Sequence, residues 1–346
     1  MREATRAELA QWDELIAANP DGGQILQTRA WGEFKRAHRW MPRYLVDDGA
    51  PAVAVLLLRH LVPGLGELGY IPKGPGIATV EQLEPLLSGF RAQAGNAFAI
   101  KVEPEIEQSD DAVAALHRLG LLKARHDVQI SRATIIVDLR PSEEAMLASF
   151  KPKARYNIRL AQRHGVTVEP VPLDARNVDT MYSLMAATRD RAGFTLRSKE
   201  YFSGYWRLHA AAGQGQLFFA SLDGAVLAGV FATFVGSRSW YKDGGSTKEH
   251  SEVMAPHLLQ WEVMRWLKAR GITAYDLVAV PPAGDLRPAH PLYGLYRFKS
   301  GFNERITEFV GTWDLPIRSS RYAAWNRVAE RAAHQWAYRV RHDLLY

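Results

Sequence analysis

The chain has 346 residues, 47% of them hydrophobic and 10% aromatic, which excludes a disordered protein and calls for two packed cores rather than one. No cysteine is present, so disulfides, thiolate nucleophiles and Cys-ligated zinc are excluded. A net charge of +6 is compatible with an anionic partner without requiring one.

The opening MREATRAELAQWDELI is charged and amphipathic, without the apolar core of a signal peptide. The longest purely apolar run, Ala52 to Leu58, is strand-sized and far too short to span a membrane. Both features point to a soluble cytoplasmic protein. YLVDDGAPAVAVLLLRHL (44–61) is predicted as a hairpin, because Asp48-Gly49 divides two apolar runs. GLGELG (64–69) matches Gly-x-Gly-x-x-Gly, but strand residues follow it where a dinucleotide site needs a helix, so it reads as a turn. A third strand in LGYIPKGPG (68–76), a helix over 80–95 and a buried strand over 97–106 complete the first half.

Between the halves, RPSEEAMLASF (140–150) predicts a helix that starts at Pro141 and is broken by Pro152. The domain boundary is placed near 147. The next stretch, KPKARYNIRLAQRHGV (151–166), carries Lys151, Lys153, Arg155, Arg159 and Arg163 with no acid among them. Arg155, Arg159 and Arg163 share one helix face, where like charges four residues apart repel. Either the face is merely solvated or an anion neutralises it.

The second half repeats the order of the first. LFFASLDGAVLAGVFATFV (217–235) is a hairpin around Asp223-Gly224, SRSWYKDGGS (237–246) a third strand, 254–271 a helix ending at Gly271, and 274–280 a further strand. Four elements in one shared order favour an internal duplication. Strand–hairpin–strand–helix–strand is the order of the acetyl-CoA N-acetyltransferase fold, but neither half carries its Gln/Arg-x-x-Gly-x-Gly/Ala pyrophosphate loop. YGLYRFKSGFN (293–303) reads as an aromatic strand with Arg297 and Lys299 together on the face opposite Phe298. His250 and His257 sit seven apart, a poor metal spacing, and no metal or cofactor is expected. In the tail (321–346), Trp325, Val328, Ala332, Trp336 and Val340 form one helical stripe, with Arg321, Arg327, Arg331, Arg339 and Arg341 around it. That stripe either closes the first core or meets an anionic membrane surface.

Seven stretches together resemble the Fem-type (FemABX) peptidoglycan bridge aminoacyltransferases. They are LQTRAWGEFK (26–35), YIPKGP (70–75), KPKARYNIRLAQRHGV (151–166), TLRSKEYF (195–202), APHLLQWEVMRW (255–266), YDL (275–277) and HPLYGLYRFKSGF (290–302), in family order. The resemblance implies an α/β (α+β) fold of two tandem acetyltransferase-like (GNAT-like) subdomains, 1–147 completed by 311–346, and 148–310. It implies no coiled-coil arm, since Ser246 passes almost directly into the 255–266 helix. The implied reaction moves an amino acid (glycine, alanine or serine) from aminoacyl-tRNA to a side-chain amine of the peptidoglycan stem peptide, on lipid II or UDP-MurNAc-pentapeptide. Lys299 matches the residue that stabilises the oxyanion, and Lys35 and Arg197 match those that hold the acceptor's pyrophosphate. Tyr201, Tyr241, Tyr296 and Phe298 match substrate-binding positions. Glu103, or the substrate's own α-amine or 2′ hydroxyl, is left to take the proton. The basic stretch 151–163 is then a tRNA surface, and the tail a peripheral contact with an anionic membrane. Two other readings stay open: an aminoacyl- or acyltransferase for a small-molecule amine, and an RNA- or membrane-binding protein with a dead transferase site.

Overall fold

The computed structural model describes residues 1–192, 196–331 and 333, and these divide into two units. The first comprises Met1–Arg132 with the described residues from Glu308 on; the second is Ala133–Thr307. The division therefore falls before the expected 147. The reason is pairing: Ile136–Asp138 is hydrogen-bonded to Ala274–Asp276, and Ile135, Val137 and Met146 share a core with Ile158, Leu258 and Met264.

Among the described residues of the first unit, one sheet runs in the order Arg2–Glu3, Met41–Asp47, Val53–Val62, Gly66–Ile71, Ala97–Val102, Trp313–Pro316, Leu122–Lys123. The hairpin expected over 44–61 is there, closing at Asp47 opposite Val53. The buried strand ends at Val102, short of the expected 106, and all six of its residues are buried. Such a strand must be covered on both faces, and its residues divide accordingly. Ala97, Ile100 and Val102 pack with Leu86 and Phe90 of the helix Glu84–Gln93, while Phe98 packs with Tyr322 and Trp325.

The second unit's main sheet runs Ile136–Asp138, Ala274–Asp276, Arg238–Ser246, Ala225–Val235, Gly215–Leu222, Thr167–Val171. Asp223 and Gly224 have φ of 49° and 82°, the paired left-handed residues that a two-residue hairpin requires. After Ser246 the chain reaches the helix Ala255–Lys268 through residues 247–254, with no arm. The two units thus repeat the hairpin–strand–helix–strand order, as tandem acetyltransferase-like halves. No helix among the described residues is long and apolar enough to cross a membrane.

Three expectations are corrected. The helix expected from Pro141 starts at Glu143, behind its cap Ser142; it ends at Ser149, ahead of Pro152 as expected, and Pro152 then takes the first turn of a new helix, Pro152–Arg163, where a missing N–H costs nothing. The 293–303 stretch is a helix, Tyr293–Lys299, not a strand. Pro291 precedes its cap, and the Tyr296 and Ser300 amides donate to the Leu292 and Tyr296 carbonyls. Arg297 and Lys299 consequently do not share a side: Arg297 is exposed and Lys299 buried. Third, the strand expected over 274–280 stops at Asp276, because Val278 and Ala279 take φ of 58° and 24°.

The tail's stripe is also altered. Trp325 is buried against Phe98 with ring centres 5.5 Å apart, but Val328 is 71% exposed. Trp325–Ala329 is π-helical, and its wider turn rotates Val328 off the face that α-helical spacing assigns to it. Ala329 and Ala333 pack there instead. Ala332, Trp336, Val340, Arg339 and Arg341 lie outside the described residues.

The described part of this helix is tied to the sheet by a buried ion network invisible in the sequence. Lys101 Nζ lies 3.0 Å from Asp314 and 3.1 Å from Glu330, and Tyr322 donates to Asp314 at 3.0 Å. Burial alone lowers the Lys101 ammonium, but Asp314 and Glu330 together raise it above its ordinary value. Burial is the largest influence on Asp314 and, with Glu330, leaves it above the ordinary carboxylate value although Lys101 pulls it down. Removing that cation leaves two buried carboxylates without their Lys101 partner. Lys101→Met should therefore cost about 3–5 kcal/mol, measured by urea denaturation at neutral pH; an unchanged unfolding midpoint would refute the network's role.

Candidate functional site

In the second unit, Lys299, Tyr241, Tyr296, Phe298, Lys151 and Lys153 of the expected site residues gather around the helix Tyr293–Lys299, whereas Arg197 and Tyr201 pair with each other. Lys299 ends it, 4% exposed, with Nζ donating to the carbonyls of Val278 at 2.8 Å and Ala279 at 3.1 Å. The Tyr241 ring centre is 5.6 Å from Nζ. Burial lowers Lys299 to about 7, against the pull of Asp276, which favours the charged form. An ammonium has three N–H donors, so two carbonyls leave one for an incoming group. Burial and the Asp243 carboxylate push the Tyr241 phenol up to about 12, so it stays neutral.

The same helix lines a cavity of about 260 Å³ bounded by Lys151, Lys153, Ala154, His257, Tyr296, Arg297, Phe298, Ser300 and Gly301. Two sets of expected residues meet here, the Lys151–Lys153 pair and the Tyr296–Phe298 pair. His257 and Arg297 are additions that sequence reasoning missed as pocket residues. The signal for His257 was its place inside APHLLQW, but it was weighed only as a metal ligand. Among the described residues no cluster could hold a metal. The His257 ring packs edge-on against Phe298 at 5.0 Å, and its Nε2 accepts from the Asn157 amide at 3.1 Å. Burial, then Lys153, lowers it to about 4, so the imidazole is neutral at pH 7 and a weak base.

Lys151 and Lys153 reach this cavity because Pro152 sits between them at the start of Pro152–Arg163. That helix has no side-chain N-cap bond and no acid in its first turn, an arrangement that favours anions. Ala154, Asn157, Ile158 and Ala161 form its buried face. The five cations are not equivalent. Lys151 pairs with Glu304 at 2.7 Å, and Arg155 donates to the Ala148 carbonyl at 2.7 Å. Lys153, Arg159 and Arg163 are exposed, with the Lys153 ammonium 5.0 Å from the Tyr156 ring centre.

Arg197 precedes the helix Lys199–Ala211, which Ser198 caps by accepting the Tyr201 amide. Its guanidinium stacks over the Tyr201 ring at 4.2 Å, and the Tyr182 hydroxyl donates to its carbonyl at 3.1 Å. Thr195 of the quoted motif lies outside the described residues. Further along this helix, Trp206 donates to Asp243 at 2.8 Å.

The first unit holds the other two expected residues. Lys35, on the helix Arg29–Ala37, is buried with its ammonium 5.0 Å from the Trp31 ring centre and 5.9 Å from that of Trp40. Glu103 is buried just beyond the Ala97–Val102 strand. Its carboxylate accepts from the Tyr70 hydroxyl at 2.8 Å and the Thr312 hydroxyl at 3.2 Å. Gln129 in turn donates to the Tyr70 oxygen at 3.0 Å. A carboxylate offers about four lone-pair sites, so these bonds leave room for a further donor.

The FemAB family model matches residues 7–223 and 213–330. The Lipid II:glycine glycyltransferase of Staphylococcus aureus strain MRSA252 is 25% identical over an alignment of 401 residues, covering 92% of this chain and 94% of that protein. Its counterpart in strain USA300 matches to the same extent. Among solved structures, the crystal structure of FemX has a TM-score of 0.83 at 23% identity, over 94% of this chain and all of that one. The structure of L-PGS from Bacillus licheniformis has a TM-score of 0.54 at 15% identity, over 96% and 97% of the two chains. The two structural likenesses are likenesses of fold.

Burying Lys299 has a measurable signature. Its folded value near 7 lies below the ordinary 10.5, so between those values the unfolded chain binds more protons than the native one. The resulting penalty is full below about 7 and vanishes above about 10.5. The stability of Lys299→Met relative to the parent should therefore shift in the variant's favour as pH falls from 10 to 7, by chemical denaturation. A difference that does not depend on pH would contradict the buried, depressed ammonium.

Proposed function

The chain belongs to the FemAB family, and on that premise we propose that it is a peptidoglycan bridge aminoacyltransferase. In the proposed reaction a side-chain amine of the stem peptide attacks the 3′ ester carbonyl of an aminoacyl-tRNA. The C–N bond forms, the ester C–O bond breaks, and the tRNA 3′ oxygen leaves with the proton that the amine gives up. The acceptor is carried on lipid II or UDP-MurNAc-pentapeptide, and glycine, alanine or serine is the amino acid transferred. The S. aureus relatives are named for glycine transfer to lipid II, which supports this acceptor class.

The observation that carries the reading is the buried Lys299 ammonium, on the helix whose Tyr296, Arg297 and Phe298 line a cavity with Lys151 and Lys153. A preorganised cation in a dry setting stabilises the oxyanion of acyl transfer far better than one in water. Tyr296 and Phe298 offer aromatic faces to the terminal nucleotide, and the two lysines suit its phosphates. By the family resemblance, Arg197, stacked on Tyr201, and Lys35 are each assigned to phosphate of the acceptor, while Tyr241 lies beside Lys299. No strong base is required of the protein, because the ester is already activated and positioning supplies much of the rate. The substrate's own α-amine or 2′ hydroxyl, or Glu103, is the candidate to carry the proton from the amine.

The direct test is to incubate the protein with mixed charged tRNAs and either lipid II or UDP-MurNAc-pentapeptide, then weigh the product. A mass gain of one aminoacyl residue on the acceptor is expected; no gain with either acceptor and any charged tRNA overturns the proposal. The tRNA surface has its own test. Arg159→Gln with Arg163→Gln should weaken tRNA binding and flatten its salt dependence, by about 0.7–0.9 in log–log slope for each phosphate no longer neutralised. An unchanged slope would return that face to the solvent.

A further inference from the structure

We infer that Asp276 is the positioning residue for Lys299: its carboxylate locks the left-handed turn whose two carbonyls grip the ammonium. Val278 and Ala279 are consecutive non-glycine residues at positive φ, and valine is β-branched, which makes this backbone a strained one. Such a conformation persists only where its surroundings impose it. Here they do so from three sides. Leu277 N–H donates to the Ile135 carbonyl at 2.8 Å, and Val280 N–H to that of Ala133 at 3.0 Å. These bonds pin the two ends of the turn. Between them, Val278 N–H donates to Asp276 Oδ1 at 2.6 Å. The same oxygen accepts the Thr134 hydroxyl in a short bond, and both side chains are buried.

The consequence is a pair of carbonyls turned to one ammonium. The Ala279 carbonyl lies across its peptide from the Val280 N–H that Ala133 holds, and with the residue between the two pins kept left-handed by the Asp276 bond to Val278 N–H, the Val278 and Ala279 carbonyls both accept from Lys299 Nζ. A regular strand through 278–279, as the sequence pattern leads one to expect, alternates its carbonyls to opposite edges and offers no such pair to one ammonium. Asp276 also acts through its charge, favouring the protonated lysine. The other titratable side chains at Lys299 do not compete for this role. Tyr241 is neutral until about 12, and Arg297 on its own helix is exposed. Thr134, Asp276 and Lys299 thus form a relay of position: hydroxyl to carboxylate, carboxylate to backbone, backbone to ammonium.

The experiment compares Asp276→Asn, Asp276→Ala and Thr134→Val in the full chain by two readouts. The first is the titration of Lys299, followed by NMR of labelled lysine and assigned with Lys299→Met; it needs no substrate. Asp276→Asn should lower the midpoint from about 7, because the charge that favours the ammonium is gone. Thr134→Val, which keeps the charge but loosens its anchor, should move it less. The second readout is aminoacyl transfer, and it alone rests on the function proposed above. There kcat should fall about 100-fold in Asp276→Ala and about tenfold in Thr134→Val, with KM for the acceptor unchanged. If Asp276→Ala does not fold, Thr134→Val carries the test by itself. A purely structural aspartate would lower thermal stability while the Lys299 midpoint and the kcat of the folded fraction stay at parent values, and that result overturns the inference. Absence of transfer in the parent would sink the function and leave the titration to decide this point.

Discussion

A lysine ammonium removed from water must be given other partners or lose its proton, and the second unit is organised around how that demand is met at Lys299. Desolvation would drive the group neutral. Two backbone carbonyls supply partial negative charge at 2.8 and 3.1 Å, and the Asp276 carboxylate adds a full charge beyond them. The balance sits near neutrality, where an ammonium can be present yet weakly solvated. To deliver those carbonyls the chain leaves the sheet after Asp276, which is why a three-residue strand replaces a longer one. Helix geometry does the rest. At the end of Tyr293–Lys299, Lys299 points inward while Arg297 remains in solvent.

The first unit offers a control on this physics within one chain. Lys101 is as deeply buried as Lys299, but it lies on two carboxylates and its proton is held above the ordinary range. Formal charges bind an ammonium in place; carbonyl dipoles only keep it from leaving. The first arrangement suits a staple, here between the sheet and the described part of the C-terminal helix. The second suits a group that must respond to a charge developing on a substrate. The two halves thus hold buried lysines in two electrostatic states, separated by what accepts their hydrogen bonds.

Much of this fold was legible because it is written in local patterns. Two Asp-Gly hairpins, apolar runs of strand length and a glycine-stopped helix were enough to find both halves. The failures share a cause, which is that tertiary partners overrode period. The 293–303 aromatics alternate well enough for a strand, yet the residue that had to be buried was the lysine. The 274–280 run is apolar throughout most of its length, and nothing in it announces a left-handed turn at a valine. The Lys101 network joins residues far apart in sequence and leaves no local trace. For the site, motif likeness pointed to Lys299, Tyr296 and Phe298, and the cavity added His257 and Arg297. Their membership depends on packing across elements, which spacing does not encode. The cationic run at 151–163 looked uniform in sequence, whereas the structure ties Lys151 and Arg155 locally and leaves Lys153, Arg159 and Arg163 outward.

The choice of donor follows from what these side chains can and cannot do. His257, the histidine of the cavity, is lowered to about 4 and cannot draw a proton effectively from an attacking amine. Lys299, lowered to about 7, is poised between ammonium and amine, and its two carbonyl partners and Asp276 favour the ammonium. A site so equipped would be a poor catalyst for making an amide from an unactivated acid. It suits the ester donor of the proposed reaction, whose leaving oxygen can accept the proton as the bond breaks. The proposed chemistry then comprises three physical tasks: neutralising phosphates, stacking the terminal base and stabilising one oxyanion. Clustered lysines, aromatic faces and a dry ammonium are the residue types each task calls for; the first two meet in the cavity of the second unit, and the third is buried on the helix that supplies its aromatics.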